Sequence, residues 1–160
     1  MQELLNCFFM PIIRQNPITK QRVIFAPERS QRPIDFAVKS EKGHQRNESV
    51  KCPFCLGHEA ETPPEVAAFR LPESKPDTPG WIVRVVPNKY PALEKNTNTT
   101  LVIKKSFEEE IPATGLHEVV IFSPRHNDCL ETVSANNRLQ LMLMLQKRII
   151  EQSALKQIKY

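Results

Sequence analysis

No apolar run in this sequence approaches the roughly 20 residues that a membrane-spanning helix requires, so a transmembrane helix is not expected. A secretory leader is not expected either. The apolar stretch of Leu4-Leu5 and Cys7 to Ile13 has no basic residue before it, follows Glu3, and is interrupted by Asn6 and Pro11. There is no internal repeat and no low-complexity tract. Excess positive charge is small: 22 Lys and Arg against 18 Asp and Glu leave a formal net charge of +4. That balance suits a phosphate-bearing metabolite and falls short of the basic stripe by which proteins hold DNA or RNA. Histidine is scarce, with only four residues, at 44, 58, 117 and 126, so no His-x-His element exists. The expectation is a cytoplasmic protein whose 160 residues can form one domain with a real core.

Against these absences stands Cys52-Pro53-Phe54-Cys55, followed at a distance by His126-Asn127-Asp128-Cys129. Four cysteines without a leader read as metal ligands or buried thiols of a reducing compartment. A C-x-x-C knuckle with a distant imidazole is the donor set of tetrahedral zinc. Cys129 completes a Cys3His set on spacing alone, or is a buried thiol at the turn into a helix. His58 and His117 are further candidate ligands by proximity in sequence.

Local patterns predict an α+β protein: an antiparallel β-sheet with a long C-terminal helix packed on it. Arg14 to Thr19 reads as a turn leading into a strand over Arg22 to Ala26, closed by Pro27. Lys39 to Lys51 is charged and aperiodic, a surface loop, and Pro72 to Gly80 marks another. Glu65 to Leu71 is too short to assign. Trp81 to Val86 is the clearest strand, ended by Pro87, which has no N–H for a ladder. Thr99 to Ile103 and His117 to Phe122 follow, the latter apolar enough to be buried on both faces. A helix over Ala135 to Leu155 is capped by Thr132 or Ser134. Met142, Leu145, Ile149 and Ile150 form its expected packing face, opposite Arg138, Gln146, Lys147 and Glu151. Ile158 and Tyr160 begin a further strand.

Five segments in order carry a resemblance: Arg14-Gln15-Asn16-Pro17-Ile18-Thr19, Ala26-Pro27-Glu28-Arg29-Ser30-Gln31-Arg32-Pro33, the knuckle with Gly57, Val85 to Leu93, and Gly115 to Ile121 continuing to Ser123-Pro124-Arg125-His126. Together they resemble galactose-1-phosphate uridylyltransferase, a branch of the histidine-triad superfamily, from about Met10 onward. The resemblance implies a histidine-triad-like N-terminal half, with Met1 to Phe9 as an extension preceding a domain over 10–160. It implies UDP-glucose and galactose 1-phosphate as substrates, or an ADP-sugar for a relative, and a homodimer. Arg29 and Arg32 match arginines that hold the nucleotide's phosphates, a task suited to bidentate guanidinium forks. Surface ion pairing is the competing use for them. Ser30 and Gln31 share that loop. Asn88 matches a residue on the nucleoside side of the donor, with Lys89 beside it, although Pro87-Asn88 also suits a plain turn. The implied zinc ligands are Cys52, Cys55 and His126, with the fourth either Cys129 or outside this sequence.

The resemblance also implies a nucleophilic histidine within a His-Pro-His element, which residues 1–160 do not contain. The expectation is therefore a chain that stops before the family's catalytic half and is inactive alone. The alternative is a zinc-stabilised nucleotide-sugar-binding or structural module.

Overall fold

The computed structural model describes residues 10–31, 52–95, 103–105 and 108–155. Arg32, the side chain of Gln31, the segment Met1 to Phe9, the 39–51 loop, most of the 99–103 strand and the strand at Ile158 lie outside the described residues.

Among the described residues, two antiparallel sheets and one α-helix make an α+β fold. The first sheet has the order β2-β1-β6-β5, with β1 Ile12–Gln15, β2 Arg22–Phe25, β5 Ile103–Lys105 and β6 Glu108–Pro112. The second has the order β3-β4-β7, with β3 Ala67–Arg70, β4 Trp81–Pro87 and β7 Glu118–Ile121. The chain divides into two compact units. One draws on Met1–Pro33, Tyr90–His117 and Leu155–Tyr160, the other on Ile34–Lys89 and Glu118–Ala154.

In the first unit, β1 and β2 form the hairpin foreseen only in its second strand. Asn16 closes it: its side chain accepts the N–H groups of Ile18 and Thr19 at 2.9 and 3.1 Å, as an Asx turn does. β6 was not foreseen, because Glu108-Glu109-Glu110 has poor strand propensity. Its register supplies the reason it forms: Glu110 lies opposite Arg14 of β1. Arg14 Nε is 2.8 Å from the buried Glu110 carboxylate, and the guanidinium also lies 4.5 Å from the centre of the Phe25 ring. The N–H is not aimed along the Arg14–Glu110 line, so this pair acts through charge.

In the second unit β4 is the central strand. Val83, Val85 and Val86 are fully or almost fully buried, whereas β7 is an edge strand of mostly half-buried residues. The strand buried on both faces is thus β4, not the His117 to Phe122 segment. Pro87 occupies the last position of β4, paired with Glu118. Alternate residues of β4 serve opposite faces. Val83 and Val85 pack on Met144 of the helix α1, Ala135–Ser153, while Arg84 between them faces away.

Ser134 caps α1, its Oγ accepting the Asn137 N–H at 3.1 Å. The packing face differs from expectation. Leu141 and Met144 are buried, and Met142, Ile149 and Ile150 are exposed. Apolar residues surround this helix on most sides, so periodicity alone does not select the face the sheet covers. Arg148 completes the inner stripe one turn beyond Met144, forked onto the Glu118 carboxylate of β7. Among the described residues no helix is long and apolar enough to cross a membrane.

Candidate metal centre and nucleotide-binding loops

The knuckle is a tight turn built by its own backbone. The Cys55 N–H donates to Cys52 O at 3.2 Å and the His58 N–H to Cys55 O at 3.1 Å. His58 is a brace and not a member of the donor cluster: its Nδ1 lies 2.6 Å from Cys52 O, and since a carbonyl only accepts, that nitrogen carries the proton. Gly57 has φ +89°, a left-handed conformation that an L side chain rarely adopts. Its N–H donates to both oxygens of Glu59 at 3.2 and 3.0 Å. Burial raises the Glu59 carboxyl pKa, but hydrogen bonds from the Trp81 indole and backbone N–H groups prevail and hold it below the usual range.

His126 arrives from the loop after β7. That loop is tied to the knuckle by Leu56 N–H donating to Pro124 O at 3.1 Å. Asp128 fixes its shape, accepting from the Ser123 hydroxyl and from Arg125 Nε, while the Arg125 N–H donates to Ser123 Oγ. The Ser123 hydrogen bond is the main cause of a lowered Asp128 pKa. None of these braces was apparent from the sequence, because each depends on a turn that folding creates.

Cys52, Cys55 and His126 converge, with their donor atoms all within 4.8 Å of one another. Cys55 Sγ and His126 Nδ1 are 3.4 Å apart. Zn–S and Zn–N bonds of about 2.3 and 2.05 Å at a tetrahedral angle place such atoms about 3.5 Å apart, so the donor set fits one ion. Burial, then the neighbouring Cys52 thiol, push the Cys55 thiol pKa up. A metal entering here displaces protons from the thiols.

Cys129 does not join the cluster, nor is it buried. Its thiol is exposed and lies 3.3 Å from the Thr132 hydroxyl, which is the main cause of its lowered pKa. The local Cys3His set is therefore absent among the described residues, because the turn at Cys129 to Thr132 aims the thiol back along its own backbone. His117 Nδ1 accepts the Ala92 N–H at 3.0 Å, which makes that nitrogen an acceptor for the backbone. Gly115 permits the close approach of the same stretch, since a Cβ there would lie 2.9 Å from Leu93 Cδ1.

The expected ligand-binding residues occupy both units. Arg29 stands in a 3-10 turn over Pro27–Gln31, with one guanidinium N–H donated to Tyr90 O at 3.2 Å. Ser30 Oγ donates to Pro27 O at 2.7 Å, so its proton is committed and the oxygen can only accept from a ligand. Half-buried Asn88 and exposed Lys89 follow the last residue of β4.

A profile of the galactose-1-phosphate uridyl transferase N-terminal domain matches residues 8–160. ADP-glucose phosphorylase from Arabidopsis thaliana is 37% identical over 140 residues, which span 87% of this chain and 38% of that protein. A crystal structure of an ADP-glucose phosphorylase from the same plant, with bound ADP-glucose, has a TM-score of 0.54 and 34% identity over 94% of this chain and 40% of its own. A solved uridylyltransferase at 22% identity, with a TM-score of 0.54 over 88% of this chain and 34% of its own, shares the fold. The chain thus spans about two fifths of the length of the ADP-glucose phosphorylases it matches. With the domain profile matched over nearly every residue, this chain belongs to the galactose-1-phosphate uridyl transferase family and corresponds to its N-terminal domain.

Proposed function

We propose that this chain is the nucleotide-sugar-holding portion of a nucleotidyltransferase that passes UMP between UDP-glucose and galactose 1-phosphate. The observation that carries the reading is the family match over residues 8–160. Arg29 and Arg32 hold the diphosphate, with Ser30 and Gln31 in the same loop, and Asn88 and Lys89 meet the nucleoside side. In this role the guanidinium groups offset charge on the phosphoryl oxygens during in-line displacement. The reaction breaks the bond from the α-phosphorus to the bridging oxygen, releases glucose 1-phosphate, and passes the nucleotidyl group to the incoming sugar phosphate. Its histidine nucleophile is not among residues 1–160, which contain no His-Pro-His.

Zinc is the metal that best suits two thiolates and an imidazole, and here it is structural, with Cys52, Cys55 and His126 holding the knuckle against the β7 loop. The protein works as a homodimer. A second reading, an ADP-sugar donor, is favoured by the relative whose structure contains ADP-glucose.

Thermal-shift titration of the 160-residue chain with UDP-glucose and ADP-glucose tests both readings. A larger shift with UDP-glucose supports the first and a larger shift with ADP-glucose the second. Incubation with radiolabelled UDP-glucose is expected to leave no acid-labile adduct on the protein, and a stable adduct would refute the assignment of the nucleophile.

A further inference from the structure

Glu59 is an acid that nucleotide binding does not use, yet it is almost wholly buried, at 4% exposure. Burying a carboxylate is costly unless its oxygens are satisfied. Here Oε1 receives the indole N–H of Trp81 at 2.7 Å, and both oxygens face the Gly57 N–H. Trp81, at the start of β4, is the chain's single tryptophan and is itself 3% exposed. Gly57 is the second residue after Cys55. One carboxylate therefore joins the turn that carries the thiols to the core of the second sheet.

We propose that Glu59 is a positioning residue for the metal cluster: it clamps the Gly57 turn to the Trp81 indole, holds Cys52 and Cys55 ready for the ion, and makes Trp81 emission a reporter of metal loading. The proposal rests on the metal-site reading above. Other ties of the knuckle serve other ends, and a long backbone contact from Arg84 Nη2 to Glu59 O at 3.5 Å supplements the carboxylate on the β4 side. Cys55 N–H to Cys52 O and His58 Nδ1 to Cys52 O close the turn on itself, and Leu56 N–H to Pro124 O joins it to the His126 loop. Glu59 anchors the assembled turn to β4. Its chemistry is specific, because Gly57 and Trp81 both present N–H donors. A carboxylate accepts both, whereas a glutamine amide would turn its own NH2 group toward one of them. Groups bonded directly to a metal ligand typically account for 10- to 100-fold in metal affinity, and Glu59, which acts through the Gly57 backbone, is placed at the lower end, about tenfold.

The test is zinc titration of the full 160-residue chain against a chromophoric chelator, with Co2+ absorption and Trp81 emission recorded in parallel. Wild type is expected to bind one ion with a change in emission, and Cys52→Ser to lose it. Glu59→Gln should bind about tenfold more weakly, with an altered Co2+ thiolate band, unchanged circular dichroism and an emission that no longer follows metal. Wild-type affinity and emission response in Glu59→Gln would overturn the proposal while leaving the metal site intact. Failure of wild type to bind any ion would instead remove the metal reading, and this one with it. If Glu59→Gln does not fold, Trp81→Phe decides, since it keeps a smaller aromatic ring in the core and deletes the indole donor. About tenfold weaker zinc binding supports the clamp, and unchanged binding overturns it.

Discussion

Arg84 is the most informative side chain to remove. It is 1% exposed in the middle of β4, and its guanidinium donates to Glu65 Oε2 at 3.0 Å, Thr62 Oγ1 at 2.8 Å and Asp77 Oδ1 at 2.6 Å. Arg84→Met keeps most of the apolar stem and deletes the charge. Removing one member of a buried ion pair costs about 3–5 kcal/mol, because the partner is left buried and uncompensated. Two features place this case at the lower end, near 3 kcal/mol. Glu65 retains Arg70, whose Nε donates to Oε1 at 3.0 Å, and the Asp77 side chain is 38% exposed and can turn to water. For a chain of this size a loss of that order lowers Tm by roughly 6–12 °C. Urea unfolding followed by Trp81 fluorescence measures it. A loss below about 1 kcal/mol would refute the account of Arg84 as the hub of this network.

The same variant has a pH signature. Burial raises the Asp77 pKa, but the Glu65 N–H and Arg84 outweigh it and hold the carboxyl below its ordinary range. A depressed carboxylate contributes stability above its unfolded pKa, and that contribution is lost as pH falls through the folded value. Wild type should therefore lose stability in this acid window, and Arg84→Met should lose less. Parallel acid profiles would contradict the assignment.

Two further outcomes follow from the packing and the cluster. Cys52→Ser and Cys55→Ser should each abolish stoichiometric zinc in native mass spectrometry, whereas Cys129→Ser leaves it unchanged; zinc loss in the Cys129 variant would restore that thiol as a ligand. Met144→Ala deletes the fully buried contact between α1 and β4, and should cost about 2–5 kcal/mol in chemical denaturation. Met142→Ala, on an exposed position of the same helix, should stay within about 0.5 kcal/mol.

What the sequence made legible was chemistry carried by residue type. Cys52, Cys55 and His126 were visible because soft donors at that spacing have few other uses, and β4 because Trp81 to Pro87 is β-branched, aromatic and closed by proline. The packing face of α1 was not visible. Leu139, Leu141, Met142, Leu143, Met144 and Leu145 nearly encircle it, so the sheet, and not the period, chooses Leu141 and Met144. β6 was hidden because the Glu110–Arg14 attraction that offsets its acidic run comes from a strand almost a hundred residues earlier. Glu59, Ser123 and Asp128 were hidden for a related reason: a brace is defined by a partner's position in space, which even the motif segments that contain Ser123 and Asp128 do not reveal.

The division of the chain into interleaved units bears on its synthesis. β1 pairs with β6, Ile12 opposite Pro112, so the first sheet cannot close until the ribosome has passed that proline. At about 5–20 residues per second, the β1–β2 hairpin waits roughly 5–20 s for its third strand. Through that interval the nascent chain shows Ile13, Ile24 and Phe25 without the sheet they belong to. The second unit's segment from Ile34 to Lys89 is made meanwhile, yet it too must await β7 and α1. Neither unit can be expressed as one uninterrupted piece, and β4, whose Trp81, Val83, Val85 and Val86 end almost wholly buried, is the stretch a holding chaperone has most to shield until β7 and α1 arrive.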